Sequence, residues 1–138
     1  MILFHKETNF ELKQKTIYKH WIKSIILDLE KRVGEINYIF CDDEYLLEMN
    51  QKYLKHDTYT DIITFDYSEK NVISGDIFIS IERVKENSTK FSKGFEEELH
   101  RVLAHGILHL CGFKDKTSKE STLMREKEDW AIKKFENY

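Results

Sequence analysis

The stretch AHGILHLCGFKDK holds two imidazoles four residues apart, His105 and His109, then a glycine, Gly112, and then a carboxylate, Asp115. Residues four apart on a helix share one side, one turn above the other, so both rings can aim at one point at a separation that a single ion bridges. A third ligand from the same helix would crowd them, so the chain must turn back. Gly112 suits that turn, because glycine accepts the left-handed conformation that commonly ends a helix. Asp115 is then carried round to the open side. Three protein ligands with a fourth position free is the arrangement of a catalytic zinc centre, in which water becomes acidic enough to attack near neutral pH. The expected ligands are His105 and His109 through Nε2, with Asp115, holding one Zn2+ or another divalent ion. The plain alternative is that the two histidines merely pack against polar partners.

A helix of this kind has to be held on something. Leu99, Val102, Leu103, Ile107 and Leu110 recur at helical spacing along EEELHRVLAHGILHLC and mark the face that packs on a sheet. The strands are read from β-branched and aromatic runs: Met1 to Phe4 as an edge strand, INYIFC, DIITFDY and VISGDIFIS. The last two are close enough to pair as a hairpin through SEKN, a longer turn than the tightest kind. A helix is expected from about Glu11 to Lys31, on Tyr18, Trp21, Ile22, Ile25 and Leu29, with Gly34 breaking its pattern. Asp42 and Asp43 suit the N-cap of a second helix running through Leu46, Leu47 and Tyr53. A charged helix follows from about Ile81, and then Gly94 precedes the histidine-bearing helix. TSKE, Thr117 to Glu120, is a capping-box pattern opening a last helix with Leu123, Trp130, Ala131 and Phe135 inward. Strands and helices mix irregularly, so the expected fold is α+β: one small mixed sheet packed with helices, the metal-binding helix lying on it in a zincin-like manner.

Composition sets the outer bounds. With 138 residues, 41% hydrophobic and 34% charged, one compact folded domain over residues 1–138 is expected. The formal charge of -3 does not announce a nucleic-acid binder, although a local basic patch is compatible with it. Two cysteines, Cys41 and Cys111, form no disulfide framework and suit a reducing compartment. No apolar run approaches the ~20 residues of a membrane span, and the first residues do not read as a signal peptide. A cytoplasmic protein is expected.

The residues around the histidines resemble the YbeY-type endoribonucleases, whose signature runs H-G-x-L-H-L-x-G-Y-D-H. His105, Gly106, Leu108, His109, Leu110 and Gly112 match it, and Phe113 stands for its tyrosine. Upstream, MNQKYLKHDTYTDIITF is similar to L-N-x-x-Y-R-x-K-D-x-P-T-D-V-L-S-F through Asn50, Tyr53, Asp57, Thr60, Asp61 and Phe65. GDIFIS is similar to G-D-I-x-I-S through Gly75, Asp76, Ile77, Ile79 and Ser80. The resemblance runs from about Ile36 to the C-terminus. Three departures stand out: the final D-H is Lys114-Asp115, the arginine after the tyrosine is Leu54, and the proline before Thr-Asp is Tyr59. Losing the arginine removes a planar cation suited to bidentate phosphate binding; Lys52, Lys55 or His56 are the available substitutes.

The resemblance implies a metal-dependent, single-strand-specific endoribonuclease acting in ribosomal RNA maturation, at the 3′ end of small-subunit RNA, and in ribosome quality control. Its implied partners are ribosomal RNA and the ribosome. Asp61 and Asp76 fall in matched segments; each either orients a ligand histidine from behind or caps a turn. His56 is a candidate proton carrier or phosphate contact, and His56 and Asp61 are the catalytic candidates beyond the metal. Lys55 and Lys114 are the candidate substrate contacts, with Lys116 and Lys119 beside Lys114. His100, five before His105, points to another side of the helix, and Cys111 is expected to be packed. Two other functions remain open. One is a metal-dependent hydrolase of peptides or small molecules, although Gly106 stands where H-E-x-x-H-x-x-G-x-x-H proteases carry their glutamate base. The other is a non-catalytic ribosome-assembly factor with a structural metal.

Overall fold

Period-two alternation of apolar residues produces four strands, and the computed structural model, which describes residues 1–55 and 60–138, joins them in one sheet. They are β1 (Ile2–Lys6), β2 (Arg32–Cys41), β3 (Ile62–Asp66) and β4 (Val72–Ser80). The order is β1-β2-β4-β3; β1, β2 and β4 run parallel, and β3 pairs antiparallel with β4. The hairpin expected across SEKN is therefore formed, in register from Ile62 opposite Ile79 to Asp66 opposite Gly75. Five helices, α1 (Lys15–Asp28), α2 (Asp43–Tyr53), α3 (Ile81–Lys90), α4 (Phe95–Leu110) and α5 (Ser118–Phe135), complete the expected α+β arrangement.

Strand parity decides what each face of the sheet carries. Ile36, Tyr38 and Phe40 of β2 and Ile73, Ile77 and Ile79 of β4 point into the main core with α1, α4 and α5. The two largest polar-tipped side chains of this core are each satisfied where they lie, as buried tyrosine and tryptophan require. Tyr38 donates its hydroxyl to Leu103 O at 2.8 Å, and Trp21 donates Nε1–H to Ala131 O at 2.8 Å. The first bond ties β2 to α4 and the second ties α1 to α5. Gly106 lets α4 lie close on the sheet: a methyl there would meet Ile77 Cγ2 at 2.9 Å and Ile62 Cδ1 at 3.1 Å. On the other face, α2 packs Leu46 on Cys41 and Ile63.

Helix ends explain most differences from the sequence reading. α1 begins at Lys15, after Gln14 in a left-handed conformation, rather than near Glu11. It stops at Asp28 because Glu30 turns left-handed (φ 62°), with Lys31 N–H bonding Ile26 O at 3.1 Å and Glu30 N–H bonding Leu27 O at 2.9 Å. That is a Schellman ending, and Gly34, expected to break the helix, lies inside β2 instead. α3 ends the same way on Ser92 (φ 55°), and α4 on Gly112 (φ 104°), the glycine expected to stop it. Asp42 caps α2, accepting from Tyr45 N–H at 2.8 Å, while Asp43 pairs with Arg83 of α3 at 2.9 Å. The Thr117 capping box is formed in both directions. On α5 the inward stripe is Met124, Glu128 and Ala131, with Trp130 and Phe135 partly buried, and Leu123 is 44% exposed rather than inward. The expected face therefore holds at Trp130, Ala131 and Phe135, and Met124 and Glu128, rather than Leu123, extend it toward the N-terminal end of the helix.

Candidate metal centre

The helical phase of α4 sets His105 and His109 on one side, with ring centroids 4.5 Å apart and planes at 81°. The Gly112 turn then reverses the chain through Phe113 N–H to Leu108 O (3.0 Å) and Gly112 N–H to His109 O (3.0 Å). The capping box fixes the far end of the short connection to α5. Asp115, between these two fixed points, brings Oδ2 to 3.3 Å from Nε2 of both histidines. All three candidate ligand atoms lie within 4.8 Å of one another. Two imidazole nitrogens and a carboxylate oxygen facing one point fit a divalent ion, and both histidines present the expected Nε2.

His105 is held from behind by a residue that sequence reasoning missed. Glu128 of α5 lies with Oε2 2.6 Å from His105 Nδ1, while its Oε1 accepts from Arg101 at 2.8 Å. Arg101 also donates to Asp129 at 2.8 Å. Burial alone would push the His105 pKa down; the hydrogen bond and charge of Glu128, with Asp115 and Asp61 behind, hold it above the ordinary imidazole value. Burial would likewise raise the Glu128 carboxyl, but His105 and Arg101 hold it below the usual carboxylate range. The sequence did carry a signal: Glu128 sits four after Met124 and three before Ala131, a charged residue within an apolar stripe.

The remaining candidates separate clearly. Asp61 precedes β3 and lines the cleft containing His105 and Asp115, where burial raises its pKa and the nearby His105 lowers it. Asp76 does not begin a strand. It lies in the middle of β4 on the face away from α4, accepting from Asn37 at 3.2 Å, so it cannot orient either histidine. His100 points elsewhere, to the Tyr18 hydroxyl at 2.9 Å, and Cys111 packs at the core edge with its thiol pushed up to about 11 by burial. His56 lies outside the described residues. Lys55, Lys114, Lys116 and Lys119 are exposed and line neither of the two clefts beside the histidines. One cleft, of about 600 Å3, runs along α5 past Ser118, Ser121 and Thr122. The other, of about 360 Å3, runs to α3 past Asn87 and Phe91. Arg125, His105 and Asp115 border both.

Fold and site together define an α+β protein with a candidate three-ligand metal centre open to solvent on the helix that crosses its sheet. The family model described as Endoribonuclease YbeY matches residues 3–136. Endoribonuclease YbeY of Flavobacterium psychrophilum is 58% identical over 135 residues, covering 98% of this chain and 96% of its own. That of Flavobacterium johnsoniae is 57% identical over 135 residues, covering 98% and 97%. A protein of Thermotoga maritima with a known solution structure is 32% identical, covers 98% of this chain and 89% of its own, and superposes with a TM-score of 0.69. The chain belongs to the Endoribonuclease YbeY family.

Proposed function

We propose that this chain is a metal-dependent, single-strand-specific endoribonuclease acting in ribosomal RNA maturation, at the 3′ end of small-subunit RNA, and in ribosome quality control. The observation that carries the reading is the meeting of His105 Nε2, His109 Nε2 and Asp115 Oδ2 beside two clefts that both reach His105 and Asp115, in a member of a family described as endoribonucleases. Two imidazoles and a carboxylate suit zinc, and the hard oxygen extends tolerance to ions such as manganese. An ion held there supplies Lewis acidity toward a phosphate oxygen and lowers the pKa of water.

The chain's own residues do the rest. Glu128 accepts the Nδ1–H of His105, which fixes the tautomer and leaves Nε2 as the donor. Arg101 keeps Glu128 ionised and in place. Asp61, beside His105 with a raised pKa, is the candidate to take a proton from the attacking oxygen, whether of water or of a ribose 2′-hydroxyl; His56 is the other. Lys55 and Lys114 serve as outlying phosphate contacts. The chain works as one domain over residues 1–138 in the cytoplasm. Three donors beside solvent speak for a catalytic ion over a closed structural one, and Gly106 speaks against peptide hydrolysis.

The test is cleavage of a structured ribosomal RNA precursor by purified protein, with and without chelator, beside His109→Ala. Wild type is expected to cut at single-stranded positions, to lose activity with chelator and to regain it with a divalent ion, while His109→Ala stays inactive. Cleavage by His109→Ala at the wild-type rate overturns the reading.

A further inference from the structure

We propose that the cleft between α3 and the candidate metal centre is a base-binding subsite: a nucleobase of single-stranded RNA stacks on Phe91 and hydrogen-bonds Asn87, while Arg125 holds an adjoining phosphate. This rests on the nuclease reading above and assigns the substrate groups to residues. The cleft's volume, about 360 Å3, lies in the range of pockets that enclose small organic groups. Isolated exposed aromatics are ordinary surface features. Phe91 differs in where and how it is held.

The residue is 54% exposed yet shares the cleft with His105 and Asp115. It closes α3, its N–H bonded to Asn87 O at 2.9 Å. The following residue, Ser92, is left-handed, and Lys93 N–H returns to Ser88 O at 2.8 Å. The backbone that carries the ring is thus fixed at the helix end, beside the cleft. Every base has a π-face, so such a platform binds single strands with little sequence preference. Asn87, one helical turn earlier, lines the same cleft, and its amide has no partner among the described residues. It can donate and accept at a base edge. Of the two arginines in the cleft, Arg101 is committed to Glu128 and Asp129. Arg125, 60% exposed, lies 3.8 Å from Glu128 and borders both clefts. Its planar fork matches a phosphate. Lys90, with Nζ 5.8 Å from the Phe91 ring, adds positive charge at the rim.

The experiment uses metal-loaded wild type, Phe91→Ala, Phe91→Trp and Arg125→Gln. Two probes of equal length are compared by fluorescence anisotropy: a single-stranded oligoribonucleotide and a ribose-phosphate oligomer without bases. Phe91→Ala is expected to bind the oligoribonucleotide about 5- to 150-fold more weakly, the range for loss of one base–aromatic stack, and to bind the baseless oligomer like wild type. Phe91→Trp is expected to restore affinity, with its added indole emission quenched on binding. Arg125→Gln is expected to weaken both probes alike. Unchanged oligoribonucleotide binding in Phe91→Ala, or equal loss for both probes, overturns the subsite while leaving metal-dependent cleavage intact. Wild-type protein that neither binds nor cuts single-stranded RNA overturns the nuclease reading and the subsite with it.

Discussion

His100 and His105 stand five residues apart on α4 and occupy opposite kinds of surroundings. Five residues turn the helix through about 140° beyond a full circle, so the two rings meet different elements. His100 lies among aromatic rings of α1 and α5: its Nε2 is 2.9 Å from the Tyr18 hydroxyl and its ring centroid 4.1 Å from that of Phe135. Burial pushes its pKa down, and Glu96 and Glu97 only partly oppose this. His105 is likewise half-buried, but against Glu128, and ends above its ordinary value. One helix therefore carries a neutral packing histidine and an anchored candidate ligand. Much of the difference comes from what α5 presents at each level, Phe135 near one end and Glu128 near the other, with Tyr18 of α1 beside His100 and Asp115 beside His105 adding to it.

The comparison breaks most visibly at the ligand end. Asp115→Ala is expected to weaken metal binding by more than the roughly 100-fold that losing a supporting partner causes. Asp115→His should keep the metal and lower the pH at which activity rises, because a neutral ligand leaves the centre more positive and its water more acidic. Competition with a chromophoric chelator and a pH–rate profile measure both. Unchanged affinity in Asp115→Ala would remove Asp115 from the ligand set.

Glu128→Ala comes next, with metal affinity falling about 10- to 100-fold and a lowered Tm, since Arg101 keeps only Asp129. At the other level of the helix, His100→Ala should cost about 1–3 kcal/mol in urea unfolding, since it removes the half-buried ring packed on Phe135 and bonded to Tyr18, with metal affinity within about twofold. If His100→Ala instead weakened metal binding as much as Glu128→Ala, the two environments would not be separable.

A smaller effect follows from titration. The folded-state pKa of His100 is depressed, so the unfolded chain binds the extra proton first. The His100 contribution to stability is full above the ordinary imidazole value of 6.5 and is lost as pH falls below it toward the folded pKa. Urea midpoints of the metal-free protein between pH 7.5 and 5 should fall less steeply in His100→Gln. The smallest expected effect is Asp76→Asn, with unchanged metal affinity and cleavage, because that carboxylate lies across the sheet.

Much of this was legible in local pattern. α4, the Gly112 stop, the β3–β4 hairpin and the capping box follow from periodicities and residue types within a few positions of one another. The convergence of His105, His109 and Asp115 is nearly local as well, since one helix and one turn create it. Glu128 is 23 residues from its histidine, and only the packing of α5 on α4 brings them together. Asp76 was readable in principle: in β4 it alternates with Gly75 and Ile77, which face the core, so strand parity alone turns it away. The cleft cation Arg125 was overshadowed by the lysines near Asp115, because charge density along a chain does not say which side chains border a cavity.

Three helices end with the same pair of backbone bonds, yet their left-handed residues are not equivalent. Glu30 and Ser92 sit at φ 62° and 55°, angles a side chain tolerates at modest cost, whereas Gly112 sits at 104°. Nothing lies within 4 Å of the methyl that Gly112 lacks, so space does not require glycine there; the angle does. Three residues downstream is Asp115, and a dihedral of this kind works as a hinge setting with the connection as its lever arm. A residue such as alanine or asparagine would relax toward the angle of Glu30 and Ser92, about 40–50° back. It would swing the carboxylate off the histidines while leaving the helix end bonded. The alignment of the site thus depends on this torsion angle at one end of the connection, as it depends on the Thr117 capping box at the other.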